Sequence, residues 1–345
     1  MDCFYAAVEL LDRPDLVGKP VAVGGSPQGR GVITTASYEA RKFGVRSAIP
    51  TSRAMRLCPQ LILIRPNFEK YKKASRKVRE IMERFTDKIE PLSLDEAYLD
   101  VTDCSDFGNS ATLIAREIRR LIFEETGLTA SAGIATNKFL AKVACEWNKP
   151  NGQKVIRPSE VDEFVKTLPV EKIFGVGKVT AEKMHSLGFK TCADLQKCTI
   201  AELTHHFGSW AVTLYDNSRG ICNREVDTSS ERKSLSVENT FSVDLKDLKA
   251  CLAELPELYN DWLERIYKRE LGAAVRGAFV KLKFHDFETT THEKASKGLP
   301  KIQVFEELLK EAFERGGRPV RLIGIGGRFG ATSSKPKSRA QLKLL

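Results

Sequence analysis

Residues 93–100 read SLDEAYLD. Two adjacent acids, Asp95 and Glu96, stand between Leu94 and Ala97, with Tyr98 and Leu99 following. Surface charge is usually scattered among polar residues, whereas this pair is wrapped in apolar ones, so something must hold two negative charges there. AYLDVTD (97–103) alternates enough to read as a strand. Neighbours on a regular strand point to opposite faces, so the backbone must turn at the pair if both acids are to act together. Helical spacing runs through 71–85 and 110–126, LTASAGIA (128–135) reads as a strand of small residues, and NKFLAKVACEWN (137–148) as a helix. Strand, helix, strand, helix is the order of an α/β layer with helices packed on a sheet.

The texture changes after the turn cluster NKPNGQ (148–153). From 158 to about 220 short helices are broken by glycine, which predicts a small all-helical domain. The polar stretch DTSSERKS (227–234) has the composition of a linker. Beyond it come a strand at SVENTF (236–241), a long helix over 245–270, and the alternating AFVKLKFHDF (278–287), followed by TTTHEKAS. A helix over 301–316 and a strand over 320–329 complete the order βαββαβ. That order predicts a ferredoxin-like split unit, a four-stranded sheet with two helices on one face. The terminal ATSSKPKSRAQLKLL (331–345) carries four cations and no acid and is expected to be disordered.

The bulk numbers agree with several domains: 345 residues, 42% of them hydrophobic, are long for one core. No run of about 18 apolar residues predicts a membrane span, and no basic-then-apolar leader predicts secretion. The eight cysteines are dispersed without CxxC pairs, which points to a reduced cytoplasm and to neither a disulfide framework nor a structural zinc. The net charge of +10 favours a polyanionic partner.

Three motifs carry chemistry. In IFGVGK (173–178), the GxG taken alone reads as a tight helix-helix turn; as a phosphate cradle, Gly175 and Gly177 would let backbone amides approach an anion without Cβ interference. The helix that follows points its N-terminus at that anion, and Lys178 sits badly at a helix start unless an anion is there. The longer pattern, hxGxGxxTAxxLxxxG, resembles a helix-hairpin-helix, which holds a DNA backbone phosphate without reading sequence. In AFVKLKFHDF, Val280, Leu282 and Phe284 fall on one face and Lys281, Lys283 and His285 on the other. An ordinary solvated face explains the lysines taken alone; beside a phosphate-holding hairpin they predict a sheet that tracks DNA. In VITTASYEARKFGVRSAIP (32–50), Tyr38 and Arg41 lie three apart on a short helix, where they can meet one ligand, and the planar fork of Arg41 suits a triphosphate.

Together MDCFYAAVE, TTASYEARKFGVRSAIP, PLSLDEAYLD, LTASAGIATNKFLAKVACEWNKPNGQ and PVEKIFGVGKVTAEKMHSLG resemble the bacterial Y-family translesion DNA polymerases, in the right order and over nearly the whole chain. The resemblance implies a right-hand architecture. Its α/β palm falls at 1–10 and 68–157, fingers at 11–67, an all-α thumb with the helix-hairpin-helix at 158–222, a linker at 223–231 and a DNA-binding little finger at 232–330. It further implies low-fidelity, template-directed synthesis past damaged bases on primer–template DNA and deoxynucleoside triphosphates, by a cytoplasmic monomer. By resemblance, Asp95 and Glu96 are catalytic ligands of two Mg²⁺, and Tyr5 excludes ribonucleotides by a clash under the sugar. Phe4, Tyr38, Arg41 and Lys149 then bind the nucleotide. Gln341, Leu342, Leu344 and Leu345 resemble a tail that docks into a sliding clamp. The family pattern opens Asp-x-Asp-x-Phe; Asp2 matches its second acid, and the first, a metal ligand, would lie one residue before Met1. The expectation is that Met1 is an internal methionine and that the chain as written polymerises poorly. A catalytically inactive DNA-binding protein and a palm-type nucleotide cyclase are the rival readings.

Overall fold

A computed structural model describes residues 1–229 and 231–330, and the chain divides into two compact units, Met1–Ser230 and a second from Glu231 onward. No helix among the described residues is long and apolar enough to cross a membrane.

The first unit begins with α1 (Phe4–Leu11), which buries Phe4, Ala6, Val8 and Glu9. A buried carboxylate needs partners, and Glu9 has them: Tyr71 Oη donates to it at 2.7 Å and Lys70 Nζ at 3.3 Å. Strand β1 (Val21–Gly24) is buried at every position. It pairs antiparallel with β2 (Ile33–Ala36) and parallel with β3 (Ile62–Ile64), in sheet order β2-β1-β3. Between them lie α2 (Tyr38–Arg41), capped by the Ser37 hydroxyl, and α3 (Thr51–Leu57). Helix α4 (Phe68–Met82) buries Tyr71, Ser75, Val78 and Ile81, a stripe at helical spacing. The hairpin β4 (Ile89–Pro91) and β5 (Ala97–Leu99) follows.

Helix α5 (Ala111–Thr126) turns Ile114, Ile118 and Ile122 inward and packs with α1 and α4 in one core. Strand β6 (Ala132–Ile134), α6 (Lys138–Cys145) and β7 (Gln153–Val155) complete the α/β part, β6 and β7 being parallel. Then α7 (Val161–Thr167), α8 (Lys178–Ser186), α9 (Cys192–Gln196), α10 (Ile200–Phe207) and α11 (Ala211–Asn217) surround a core that includes Val165, Met184, Leu195, Leu203 and Leu214.

Two strands are shorter than their patterns predict. β5 stops at Leu99, because the Asp100 carboxylate accepts from the Thr102 N–H (3.0 Å) and hydroxyl (2.6 Å) in a local turn that competes with the ladder. β6 keeps only three of the eight residues expected, since Thr129 and Ser131 engage the start of the chain instead: Asp2 N–H donates to Thr129 O at 3.1 Å, and the Ser131 hydroxyl to Asp2 at 2.7 Å.

The second unit runs β8 (Ser234–Leu245), α12 (Leu248–Tyr267), β9 (Val275–Phe284), β10 (Thr289–Ala295), α13 (Ile302–Glu314) and β11 (Val320–Phe329), the expected βαββαβ order. The sheet is antiparallel throughout, in order β10-β9-β11-β8. Each βαβ unit brackets a strand of the other, as a split unit requires, but its first and third strands lie at the edges, where a ferredoxin-like sheet carries its second and fourth. Both helices pack on the face that carries Val280, Leu282, Phe284, Ile323 and Ile325, around Trp262 and Phe305. β9 ends at Phe284 rather than 287: His285, Asp286 and Phe287 form the turn to β10, closed by Phe287 N–H to Phe284 O at 3.0 Å. His285 therefore does not share the lysine face.

Candidate active site

Asp95 and Glu96 lie in the loop between β4 and β5, not on a strand, which removes the difficulty of opposed faces. The amides of Leu92 and Ser93 close that loop on the carbonyl of Glu96, at 2.9 and 3.3 Å. The Ser93 hydroxyl donates to Asp95 Oδ1 at 2.7 Å, and the Met1 amine to the Asp95 carbonyl oxygen at 2.8 Å. Leu94 packs against the core shared by α1, α4 and α5, and Tyr98 is buried. The apolar flanks thus seat a turn whose backbone fixes both acids.

Lys142 Nζ lies 2.7 Å from Glu96 Oε1. Burial pushes the Glu96 carboxyl upward, but the hydrogen bond and charge of Lys142, with Lys149 behind it, outweigh that and hold it below the usual carboxylate range. Lys138, one turn earlier on α6, pairs with Glu90 of β4. Sequence reasoning missed Lys142; its signal was the Lys138/Lys142 spacing on a helix that buries Phe139, Leu140 and Val143.

Tyr5 stacks on Tyr71 with centroids 4.2 Å apart and 14° between planes, and meets Phe68 edge-on at 5.9 Å. Burial, then the charge of Asp95, raises the Tyr5 hydroxyl above its ordinary range, so this ring borders the carboxylates. Phe4 is 3% exposed, so its ring belongs to the core, while its backbone amide lies in the first turn of α1, whose N–H groups have no intrahelical partner.

Tyr38 and Arg41 lie against each other, the guanidinium 4.6 Å from the ring centroid, with Arg41 Nε donating to Ala36 O at 3.0 Å. The Tyr38 hydroxyl is buried with no hydrogen-bond partner among the described residues. Burial pushes it up to about 12, helped by Asp2, while Arg41 and Lys149 pull it down. Lys149 therefore acts electrostatically on both Tyr38 and Glu96, and it pairs with Glu146 at 2.5 Å. The structure brings Tyr5, Tyr38, Arg41, Asp95, Glu96 and Lys149 into one neighbourhood. Asp2, 2% exposed, is committed elsewhere: it accepts from the Ser131 hydroxyl at 2.7 Å and the Asn151 N–H at 2.8 Å.

Of the remaining candidates, Gly177 caps α8 and Lys178 begins it; the element before them is a single 3-10 turn, Val170–Lys172, rather than a helix. Gly175 has φ +96°, and a Cβ there would lie 3.1 Å from the Trp210 ring, whereas one at Gly177 would meet nothing within 4 Å. The approach to the α8 amides is therefore open at Gly177. In the second unit Lys281 pairs with Glu238 at 2.9 Å, and Lys283 lies 5.7 Å from the Phe287 ring. Gln341, Leu342, Leu344 and Leu345 lie outside the described residues.

Three family profiles match along the chain. Residues 1–146 fit the impB/mucB/samB family, 171–221 a DNA polymerase-iota thumb domain, and 232–344 the impB/mucB/samB C-terminal domain. DNA polymerase IV of Protochlamydia amoebophila is 54% identical over 94% of this chain and 93% of its own length. That of Pseudomonas putida KT2440 is 51% identical over 95% and 92%. Among solved structures, a Y-family DNA polymerase chimera superposes with TM-score 0.85 at 32% identity, covering 95% of this chain and 96% of that one. An insertion ternary complex of Dbh DNA polymerase gives 0.67 at 31%, with the same coverage.

The chain belongs to the Y family of DNA polymerases, and its curated relatives within it are DNA polymerase IV enzymes. It is a DNA-directed DNA polymerase of the translesion type, a nucleotidyltransferase of a family that works with divalent metal ions. DNA and deoxynucleoside triphosphates are its substrates. The readings as an inactive DNA-binding protein and as a cyclase fall away.

Proposed function

We propose that Asp95 and Glu96 hold two Mg²⁺ against the incoming triphosphate. Their hard carboxylate oxygens fit an ion that is typically held by one or two carboxylates together with substrate phosphates; among the described residues no group of three His, Cys, Asp or Glu converges to cage a metal without the substrate. When bound, such ions activate the primer 3′-hydroxyl and neutralise charge on the transferring phosphate. Lys142 keeps Glu96 ionised for that task. Tyr5 forms the floor beneath the sugar. Tyr38, Arg41, Lys149 and the first amides of α1, Phe4 included, take the phosphates.

The observation that carries this reading is the unpartnered, buried Tyr38 hydroxyl beside Arg41 and Lys149. A buried donor without an acceptor costs about 1–3 kcal/mol, and a phosphate oxygen would satisfy it. Tyr38→Phe should therefore weaken nucleotide binding about tenfold on a dideoxy-terminated primer–template, one lost bond to a charged group. Thermal stability should hold or rise. An unchanged nucleotide Kd would remove Tyr38 from the site.

We read 1–10 and 68–157 as palm, 11–67 as fingers, 158–222 as thumb and 232–330 as little finger, in a polymerase that works as a monomer. In the thumb, Gly175, Gly177 and Lys178 take a DNA phosphate; in the little finger, Lys281 and Lys283 follow the backbone. A Cβ at Gly177 meets nothing within 4 Å, so Gly177→Val should leave the melting temperature nearly unchanged yet weaken DNA binding roughly tenfold on every sequence. Loss confined to some sequences, or none, contradicts a phosphate contact. The tail 341–345 supplies the clamp anchor, a reading that clamp-stimulated synthesis by a chain ending at residue 340 would overturn.

A further inference from the structure

We infer that Arg119 is a positioning residue for nucleotide binding, holding the 148–153 turn so that Lys149 faces the substrate phosphates. The inference rests on the reading of Lys149 as a phosphate ligand. Arg119 stands on α5 and touches no member of the site. Its Nε donates to Ala130 O at 2.8 Å and its Nη1 to Gln153 Oε1 at 3.2 Å. Its Nη2 donates twice to one residue, to Asn151 O at 2.5 Å and Asn151 Oδ1 at 2.8 Å. All three guanidinium nitrogens are engaged, and three of the four bonds fall on the turn or on Gln153 at its end.

The residue it grips hardest is the strained one. Asn151 has φ +49°, in the left-handed region, and such residues persist only where their surroundings over-determine them. Here the surroundings are Arg119 on the carbonyl and side chain, and Asp2 on the N–H at 2.8 Å. The turn is tight as well: a Cβ at Gly152 would sit 2.0 Å from Asn148 O, and Asn148 Nδ2 donates to Gln153 O at 2.9 Å. Lys149 lies two residues before Asn151, so the path of its backbone is set by this clamp. A guanidinium suits the task, because its planar fork addresses several acceptors at fixed angles, where an ammonium is a single point on a flexible stem.

A purely structural arginine would brace β6 against β7 without regard to substrate, and the test separates the two. On a dideoxy-terminated primer–template with Mg²⁺, the Kd of the complementary deoxynucleotide is titrated by 2-aminopurine fluorescence in the template. Arg119→Lys should raise that Kd about tenfold with DNA affinity unchanged, and Lys149→Ala should raise it comparably. The double variant should be no worse than Lys149→Ala alone, since the clamp acts only through Lys149. Additive losses, or an unchanged Kd in Arg119→Lys, overturn the inference. An unchanged Kd in Lys149→Ala overturns the reading of Lys149 and this inference with it. If Arg119→Lys lowers the melting temperature by more than ~5 °C, Asn151→Gly carries the test. It tolerates positive φ while removing the Oδ1 acceptor, and should raise Kd about threefold, again only while Lys149 is present; no change in Kd overturns the proposal.

Discussion

Replacing Asp95 with asparagine should lower single-nucleotide insertion by at least ~10³-fold while leaving the protein folded and bound to DNA. The substitution keeps volume and planar shape, so the Ser93 hydroxyl still finds an oxygen at Oδ1. The loop itself is closed by the amides of Leu92 and Ser93 on the carbonyl of Glu96, none of which the change touches. What is lost is one negative charge and the better donor. A carboxylate both binds a hard cation and offsets its charge, whereas an amide oxygen does only the first, and weakly. Misplacing reacting groups alone costs about 10²-fold, and losing the charge stabilisation that metal supplies costs several kcal/mol more. Glu96→Gln is the less clean probe, because it also strands the Lys142 ammonium 2.7 Å away. The measurement is insertion rate at saturating nucleotide, beside DNA affinity and melting temperature. Activity within tenfold of the parent chain would show that Asp95 is not a metal ligand.

Tyr5→Ala should reduce discrimination against ribonucleotides by about 10²-fold, the scale on which a site rejects a substrate that merely adds a hydroxyl. Deoxynucleotide insertion should remain largely intact, because nothing in the reaction requires the ring. The side chain is half-buried, so truncation leaves a gap that water can enter rather than a dry cavity. The lost stacking on Tyr71, at 4.2 Å between centroids, predicts a stability loss of about 1–2 kcal/mol. The two effects are separable: Tyr5→Phe keeps the stack and the bulk, and should keep the discrimination. The readout is the ratio of kcat/KM for matched deoxy- and ribonucleotides. An unchanged ratio in Tyr5→Ala would place the barrier elsewhere.

Periodicity located the helices well: 110–126 and 301–316 were legible because their apolar stripes are long and their ends are marked, as by Ser110 and Gly127. Strands were legible as segments but not at their ends. β5 and β9 stop where a side chain or a turn captures the next backbone group, and alternation carries no mark of that. The order of strands in the second unit was not legible for a related reason, since βαββαβ fixes the sequence of elements and leaves open which strands take the edges. At the site, adjacency in sequence showed Asp95 with Glu96 and Tyr38 with Arg41. It could not show Lys142 on Glu96 or Arg119 on Asn151, 46 and 32 residues distant. Helical spacing says which face a residue occupies; only packing says what that face meets.

If Tyr5 is the floor proposed beneath the sugar, that floor lies on Tyr71, which is fully buried with its hydroxyl tied to Glu9 inside α1. A wall that discriminates by collision must not yield when struck. Exposed rings swing aside on the nanosecond scale, but this one rests on a close-packed interior of low compressibility. Pushing it inward means displacing Tyr71, and with it a buried hydrogen bond at the centre of the domain. Local softness of the gate is thereby priced at the cost of opening the core. Sugar fidelity set by Tyr5 would in that sense be a mechanical property: the selectivity of the surface would be the stiffness of the interior.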